Sequence, residues 1–148
     1  MTKRKIIKKL IRSINPSIKV KFRRNSNNCD INRKVVYLDL KASQSLEYLH
    51  HYQRIAKVYN FRRVVGTTLW VVLHEVGHIM TAHKVKDLDT AVRIQSSKVE
   101  QWQSHAIPQK HLSKAYALLE LERLANEWAF NYAMHNHKAL AQLKLALD

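Results

Sequence analysis

The stretch Leu69-Trp70-Val71-Val72-Leu73-His74-Glu75-Val76-Gly77-His78-Ile79 constrains the fold more than any other: an apolar run that encloses two histidines and a glutamate. Leu69, Val72, Val76 and Ile79 recur at helical intervals, which predicts a helix over about 67–84 with Thr67 or Thr68 as its N-cap. On such a helix His74 and His78 are four apart and share one face. Two neutral imidazoles so placed can bind one Zn²⁺. Glu75 lies about 100° round the helix, off the ligand face. It remains within reach of a metal-held water, the position of a general base. Gly77 costs about 1 kcal/mol of helix propensity against Ala. Its presence predicts a neighbouring element packed too closely for a side chain. The plainer alternative is a buried helix whose histidines are merely hydrogen-bonded.

Two histidines do not hold a catalytic zinc; a third protein ligand is needed, with one position left for water. The metzincin spacing puts Gly and His at the positions of Thr81 and Lys84, so it fails. His83 lies well round the helix from the pair. The remaining donors are carboxylates on a second helix: Glu100, Glu120, Glu122 or Glu127. From Gln109 to about Asn136 the pattern is helical and uninterrupted, with Pro108 at its first turn. Leu112, Ala115, Leu119, Glu122, Asn126, Ala129 and Ala133 form one stripe. Glu122 alone among the candidates lies on it, and Ala125 and Ala129 allow two helices to approach closely. Asn126, one turn on, suits a second role, accepting a hydrogen bond from the non-metal nitrogen of a ligating histidine. The alternative for Glu122 is an ion pair with a basic residue. Tyr116, His105, His111, Tyr132 and His135 are all open as donors to an oxyanion.

The rest of the chain predicts one α+β domain over 1–148, mostly helical with a small antiparallel sheet. Residues 1–16 read as a basic amphipathic helix, Ile6, Ile7, Leu10, Ile11 and Ile14 on one side and Pro16 ending it. Docking on the core is preferred over membrane-surface binding. Residues 17–40 read as a β-hairpin: Ile18, Val20 and Phe22 alternate with Lys19, Lys21 and Arg23, Asn25–Asn28 turns, and Val35–Leu40 returns. A sheet edge there could receive an extended substrate. Ser43 or Ser45 caps a helix over about 46–59, with Leu46, Leu49, Tyr52, Ile55, Ala56 and Tyr59 inward. Basic and aromatic residues mix between Tyr48 and Arg63, a pattern that can serve single-stranded nucleic acid, although the rings mostly follow core spacing. Segment 85–107 is mostly polar, with a short strand at Ala91–Ile94 and a helical turn near Lys98–Gln103. It suits a lid or substrate wall. A tail helix presents Leu140, Leu143 and Leu147.

Charge and cysteine content narrow the setting. The net charge is +15, and twelve of the 26 Lys and Arg fall in the first 34 residues against one acid, Asp30. That excess suggests acidic partners, nucleic acid through the basic N-terminal region among them, or simply a solvated face. The single cysteine, Cys29, excludes an internal disulfide and a Cys-rich zinc site, and fits a reducing, cytoplasmic setting. No apolar stretch approaches a membrane span, and the N-terminus lacks the features of a signal peptide.

His74-Glu75-Val76-Gly77-His78, followed by Glu122-Arg123-Leu124-Ala125-Asn126-Glu127-Trp128-Ala129, resembles the ImmA/IrrE-type zinc metallopeptidases. Their motifs run H-E-x-G-H and E-x-E-A-N-x-F-A, with the first Glu of the second as third zinc ligand. That Glu is Glu122 here and the Asn is Asn126. Leu124 replaces the usual second Glu and Trp128 the usual Phe. The resemblance covers about 66–133. It implies a minimal zincin-like domain, Zn²⁺ as cofactor and a protein or peptide substrate such as a DNA-bound repressor of a phage or mobile element. Two alternatives stand beside this. One is a DNA-associated metallopeptidase of the SprT-like kind. The other is a non-catalytic zinc-containing module that binds a repressor or nucleic acid.

Overall fold

The computed structural model describes residues 1–61, 65–105, 107–108, 111–112, 115–116 and 118–147. Arg62, Arg63 and Gln109, on which parts of two expectations rested, lie outside them. The architecture is α+β: a three-stranded sheet, with the helices Lys3–Ile14 and Thr67–Thr81 packed on it, in a mostly helical chain. Helix α1 (Lys3–Ile14) is capped by Thr2, whose side chain accepts from the Lys5 N–H. It buries Ile7, Leu10 and Ile11 in the core, so its apolar face is already covered.

The sheet corrects the hairpin expected over 17–40. Strand β1 (Lys19–Phe22) runs parallel to β3 (Val35–Leu38), with Val20 opposite Val36. Strand β2 (Asn28–Asp30) pairs antiparallel on the other side of β3, Cys29 opposite Val36. The order β1-β3-β2 makes a mixed sheet, not an antiparallel one. The asparagine-rich stretch after β1 is a crossover past the end of β3. It is tied there by Asp39, whose carboxylate accepts from the Asn25 N–H at 2.6 Å, while Asn27 Oδ1 accepts from the Asp39 N–H at 2.9 Å. Asn25 has φ 59, a left-handed conformation that asparagine tolerates. Alternation reports which face of a strand is buried; it carries no information about which strand lies alongside.

Short helix α2 (Leu40–Ser43) leads to α3 (Leu46–Val58), capped by Ser45. Tyr52, Ile55 and Ala56 of α3 are buried as expected, but Leu46 is exposed. The aromatic residues of this region pack inward. Tyr52 meets Trp70 at 5.4 Å between centroids, and Tyr59 and Phe61 meet Phe130 at 5.5 and 4.6 Å.

Helix α4 (Thr67–Thr81) continues into a 3₁₀ turn, Ala82–Lys84. Its N-cap is Gly66 at φ 89, not Thr67 or Thr68, because the chain enters the helix through a backbone conformation that favours glycine. Nearly every residue of α4 is buried, the signature of a central helix. Segment 85–107 differs most from expectation. In place of a strand at 91–94 it forms α5 (Leu88–Ser104), capped by the Asp87 side chain on the Thr90 N–H. No residue of α5 is fully buried; Leu88, Ala91, Val99 and Trp102 are half-buried along one side, and polar residues separate them in the sequence.

The helix expected over 109–136 is interrupted. His111, Leu112, Ala115 and Tyr116 are helical, the chain turns at Leu118, and Leu119 is extended (φ −60, ψ 142) before α6 (Glu120–His135) begins. Helix α7 (His137–Leu147) closes the chain with Leu140 and Leu147 buried. Among the described residues no helix is long and apolar enough to cross a membrane.

Helices α4 and α6 meet where Gly77 faces Ala125. A Cβ built on Gly77 would lie 2.6 Å from the Ala125 carbonyl oxygen, so the approach expected of Gly77 is real and its partner is backbone. Gly77→Ala gains about 1 kcal/mol in helix propensity. Overpacking against a backbone that cannot yield costs about 1–3 kcal/mol, occasionally more. The expected net result is a thermal midpoint lowered by several degrees, read by differential scanning calorimetry. An unchanged or raised midpoint would contradict this packing.

Candidate metal centre

The close approach of α4 and α6 sets one carboxylate against two imidazoles. Glu122 is in the first turn of α6, where the positive end of the helix dipole favours an ionised side chain. Its Oε2 lies 2.7 Å from His74 Nε2 and 3.3 Å from His78 Nε2. The two rings stand edge to face, 4.7 Å between centroids. The three donor atoms lie within 4.8 Å of one another, and the group could hold a metal ion. Of the carboxylates weighed from sequence, Glu122 is the one brought to the histidine pair. Among the described residues, the ion-pair partners of Glu122 are these rings, not a lysine or arginine.

The contact is close but poorly directed. Among the described residues, Glu122 Oε2 has no aligned hydrogen-bond donor, although it is buried. Donor atoms converging this closely on one buried carboxylate oxygen suit a shared proton or a shared cation. The neighbours enforce that arrangement. Asn126 Oδ1 lies 2.8 Å from His74 Nδ1. An amide oxygen only accepts, so Nδ1 carries the proton and the neutral ring keeps the Nε2 lone pair for a metal. The Asn126 amide lies in turn beside the Tyr59 side chain. Glu122 Oε1 accepts from the Tyr116 hydroxyl at 2.8 Å and from the Gln95 amide at 3.1 Å, which leaves Oε2 for the histidines.

The break before α6 is what brings Tyr116 here. Six residues along a continuous helix would put it well round the axis from Glu122. Burial, then Glu122, raises the Tyr116 hydroxyl far above its usual range and keeps it a donor. Gln95 comes from α5, the helix that periodicity did not reveal. Cys29 was another omission: its thiol, on β2, lies beside Glu75. Burial and the Glu75 charge push it up, so it stays a thiol. Nothing local in the sequence signals either contact. Of the other donors considered, His105 and His135 are exposed and bond to the carbonyls of Gln101 and Asn131.

Protonation follows from this crowding. Burial alone would lower His74, but the Glu122 carboxylate outweighs it and raises the ring to about 9. Burial alone would raise Glu122, but His74 and His78 hold it well below the usual carboxylate range. Glu75 lies off the ligand set, buried, and burial raises it to about 7 against the pull of both histidines. A cavity of about 520 Å³ is lined by His74, Glu75 and Tyr116 along with Asn27, Tyr48, His51 and Trp70.

Comparison with protein-family models, with curated proteins and with solved structures gives no match to this chain.

Two outcomes are expected of the metal centre. Without metal, a proton on His74 is retained up to about pH 9, and a cation must displace it. Affinity for a divalent ion should therefore rise with pH, about tenfold per unit for one displaced proton, and level off above that value. Competition with a chromophoric chelator between pH 6 and pH 9 reads this slope; a flat profile would count against it. Asn126→Ala should weaken metal binding about 10- to 100-fold by freeing the His74 ring. The same titration checks it, with unchanged affinity as the contrary result.

Proposed function

We propose that the chain is a zinc-dependent endopeptidase in which His74, His78 and Glu122 hold the ion and Glu75 is the general base. The observation that carries this reading is the cavity lined jointly by His74 and Glu75. A structural zinc site is closed. Here a ligand and a carboxylate with no part in the ligand set border space that a substrate can enter. Two imidazole nitrogens and one carboxylate oxygen suit zinc. The same donors serve non-haem iron, but hydrolysis gives Glu75 a task that an iron site does not. When bound, zinc supplies Lewis acidity, bringing the pKa of a water towards 7 and polarising the scissile carbonyl.

The chain's own residues perform the remaining steps in this proposal. Glu75, raised to about 7 by burial, can both accept and release a proton near neutrality. It takes the proton of the attacking water and delivers it to the leaving amine. Tyr116 holds Glu122 by Oε1, so the other oxygen stays on the histidine side. Strand β2 is at one edge of the sheet and packs on α4. An extended peptide added along that edge would run beside the cavity. Helix α5 steadies Glu122 from the other side through the Gln95 amide.

The resemblance of 74–78 and 122–129 to the ImmA/IrrE-type enzymes supports the same assignment. From it we take the proposed substrate class, a protein such as the repressor of a phage or mobile element. A SprT-like, DNA-associated peptidase is the nearest alternative, and DNA-stimulated cleavage would favour it.

Glu75→Gln should retain the zinc content of the wild-type protein and lose cleavage by at least about 100-fold. Metal analysis and mass spectrometry of a digested protein mixture read the two effects. Full activity in that variant would sink the proposed base. If it still inactivates a partner that the wild type inactivates, the site works by binding.

A further inference from the structure

A second groove, of about 700 Å³, is lined by Arg4, Phe22, Arg23, Arg24, Asp39 and Lys41 among others. It shares no lining residue with the cavity at the metal centre. Arg4 comes from α1, Arg23 and Arg24 from the crossover after β1, and Lys41 from α2. All four cations are exposed. Lys8, one helical turn from Arg4, extends the row.

Two features restrict the ligand. First, the rings of this face carry cations. Arg4 and Lys8 stand over Phe22 at 5.1 and 5.8 Å from its centroid, and Arg23 over Tyr37 at 4.2 Å. Such contacts fix the cations in place, and they occupy ring faces on which bases would otherwise stack. Secondly, Asp39, the one acid in the groove, is engaged by the Asn25 and Ala42 N–H groups. Those bonds hold its carboxyl below the usual range. The face is thus a row of exposed cations, three of them held against rings, which complements a row of phosphates. A bilayer would need an apolar face to enter, and that of α1 is buried in the core.

We propose that the groove between α1, β1 and α2 binds the sugar-phosphate backbone of duplex nucleic acid, without reading its sequence. This inference does not depend on the zinc reading. Contact is made by Arg4, Lys8, Arg23, Arg24 and Lys41, and affinity is weak and steeply dependent on salt.

The test is fluorescence anisotropy with a labelled 20-base-pair duplex of mixed sequence, titrated from 50 to 200 mM NaCl. Replacing Arg4, Arg23, Arg24 and Lys41 together by Gln should flatten the log–log salt dependence by about three to four units. Replacing Lys57, Arg93, Lys98 and Lys138, exposed cations elsewhere, removes the same charge and should change the slope much less. Arg24→Glu and Lys41→Glu, each tested singly, guard against misfolding of the quadruple variant; each should weaken binding several-fold. A second duplex of unrelated sequence should bind equally well. Equal losses in the groove and control variants would overturn the proposal. So would strong sequence preference, or binding to phosphatidylserine vesicles with none to the duplex.

Discussion

Everything at the His74–His78–Glu122 group depends on how closely two helix backbones approach. The Gly77 side of α4 rests on the Ala125 backbone of α6, at a separation that leaves no room for a methyl group. Beside that contact the backbones give way to a meeting of side chains, His74 and His78 of α4 against Glu122, one turn before Ala125 on α6. A wider spacing would leave the carboxylate short of the rings. The small residues Ala125, Ala129 and Ala133 along α6 are fully or almost fully buried and keep the two axes close.

Burying an anion between two imidazoles is costly unless something positive is shared among them. The chain meets that cost with a graded set of contacts. Tyr116 and Gln95 satisfy one carboxylate oxygen, Asn126 fixes one imidazole, and a proton or a cation can bridge the rest. Glu75 is treated differently. It is buried beside the group but has neither role in holding it, and burial shifts it towards neutral pH. Two glutamates within one small volume are thereby pushed in opposite directions, a separation typical of sites where one carboxylate stays ionised and the other moves protons.

The electropositive face has its own logic. Arginine and lysine stacked on Phe22 and Tyr37 give up part of their freedom in the folded protein, so less is lost when a polyanion is met. The apolar side of α1 anchors that face to the core through Ile7 and Ile11. The charged side is left to solvent. A single amphipathic helix thus joins core packing to a surface that presents charge.

The sequence by itself determined what depends on local periodicity and short spacing. It fixed the central helix, the shared face of His74 and His78, the crowding at Gly77, and Glu122 and Asn126 on one inward stripe. Those features survive because a helix carries its register along the chain, so a residue's face follows from its number. Tertiary structure decided what depends on distant segments. It set β1 parallel to β3, because alternation does not name a strand's neighbour. It made 88–104 a helix without a buried residue, and broke the chain at Leu119 so that Tyr116 turns back onto Glu122. It also brought Cys29 to Glu75 and Gln95 to Glu122, contacts between elements far apart in sequence that packing alone selects.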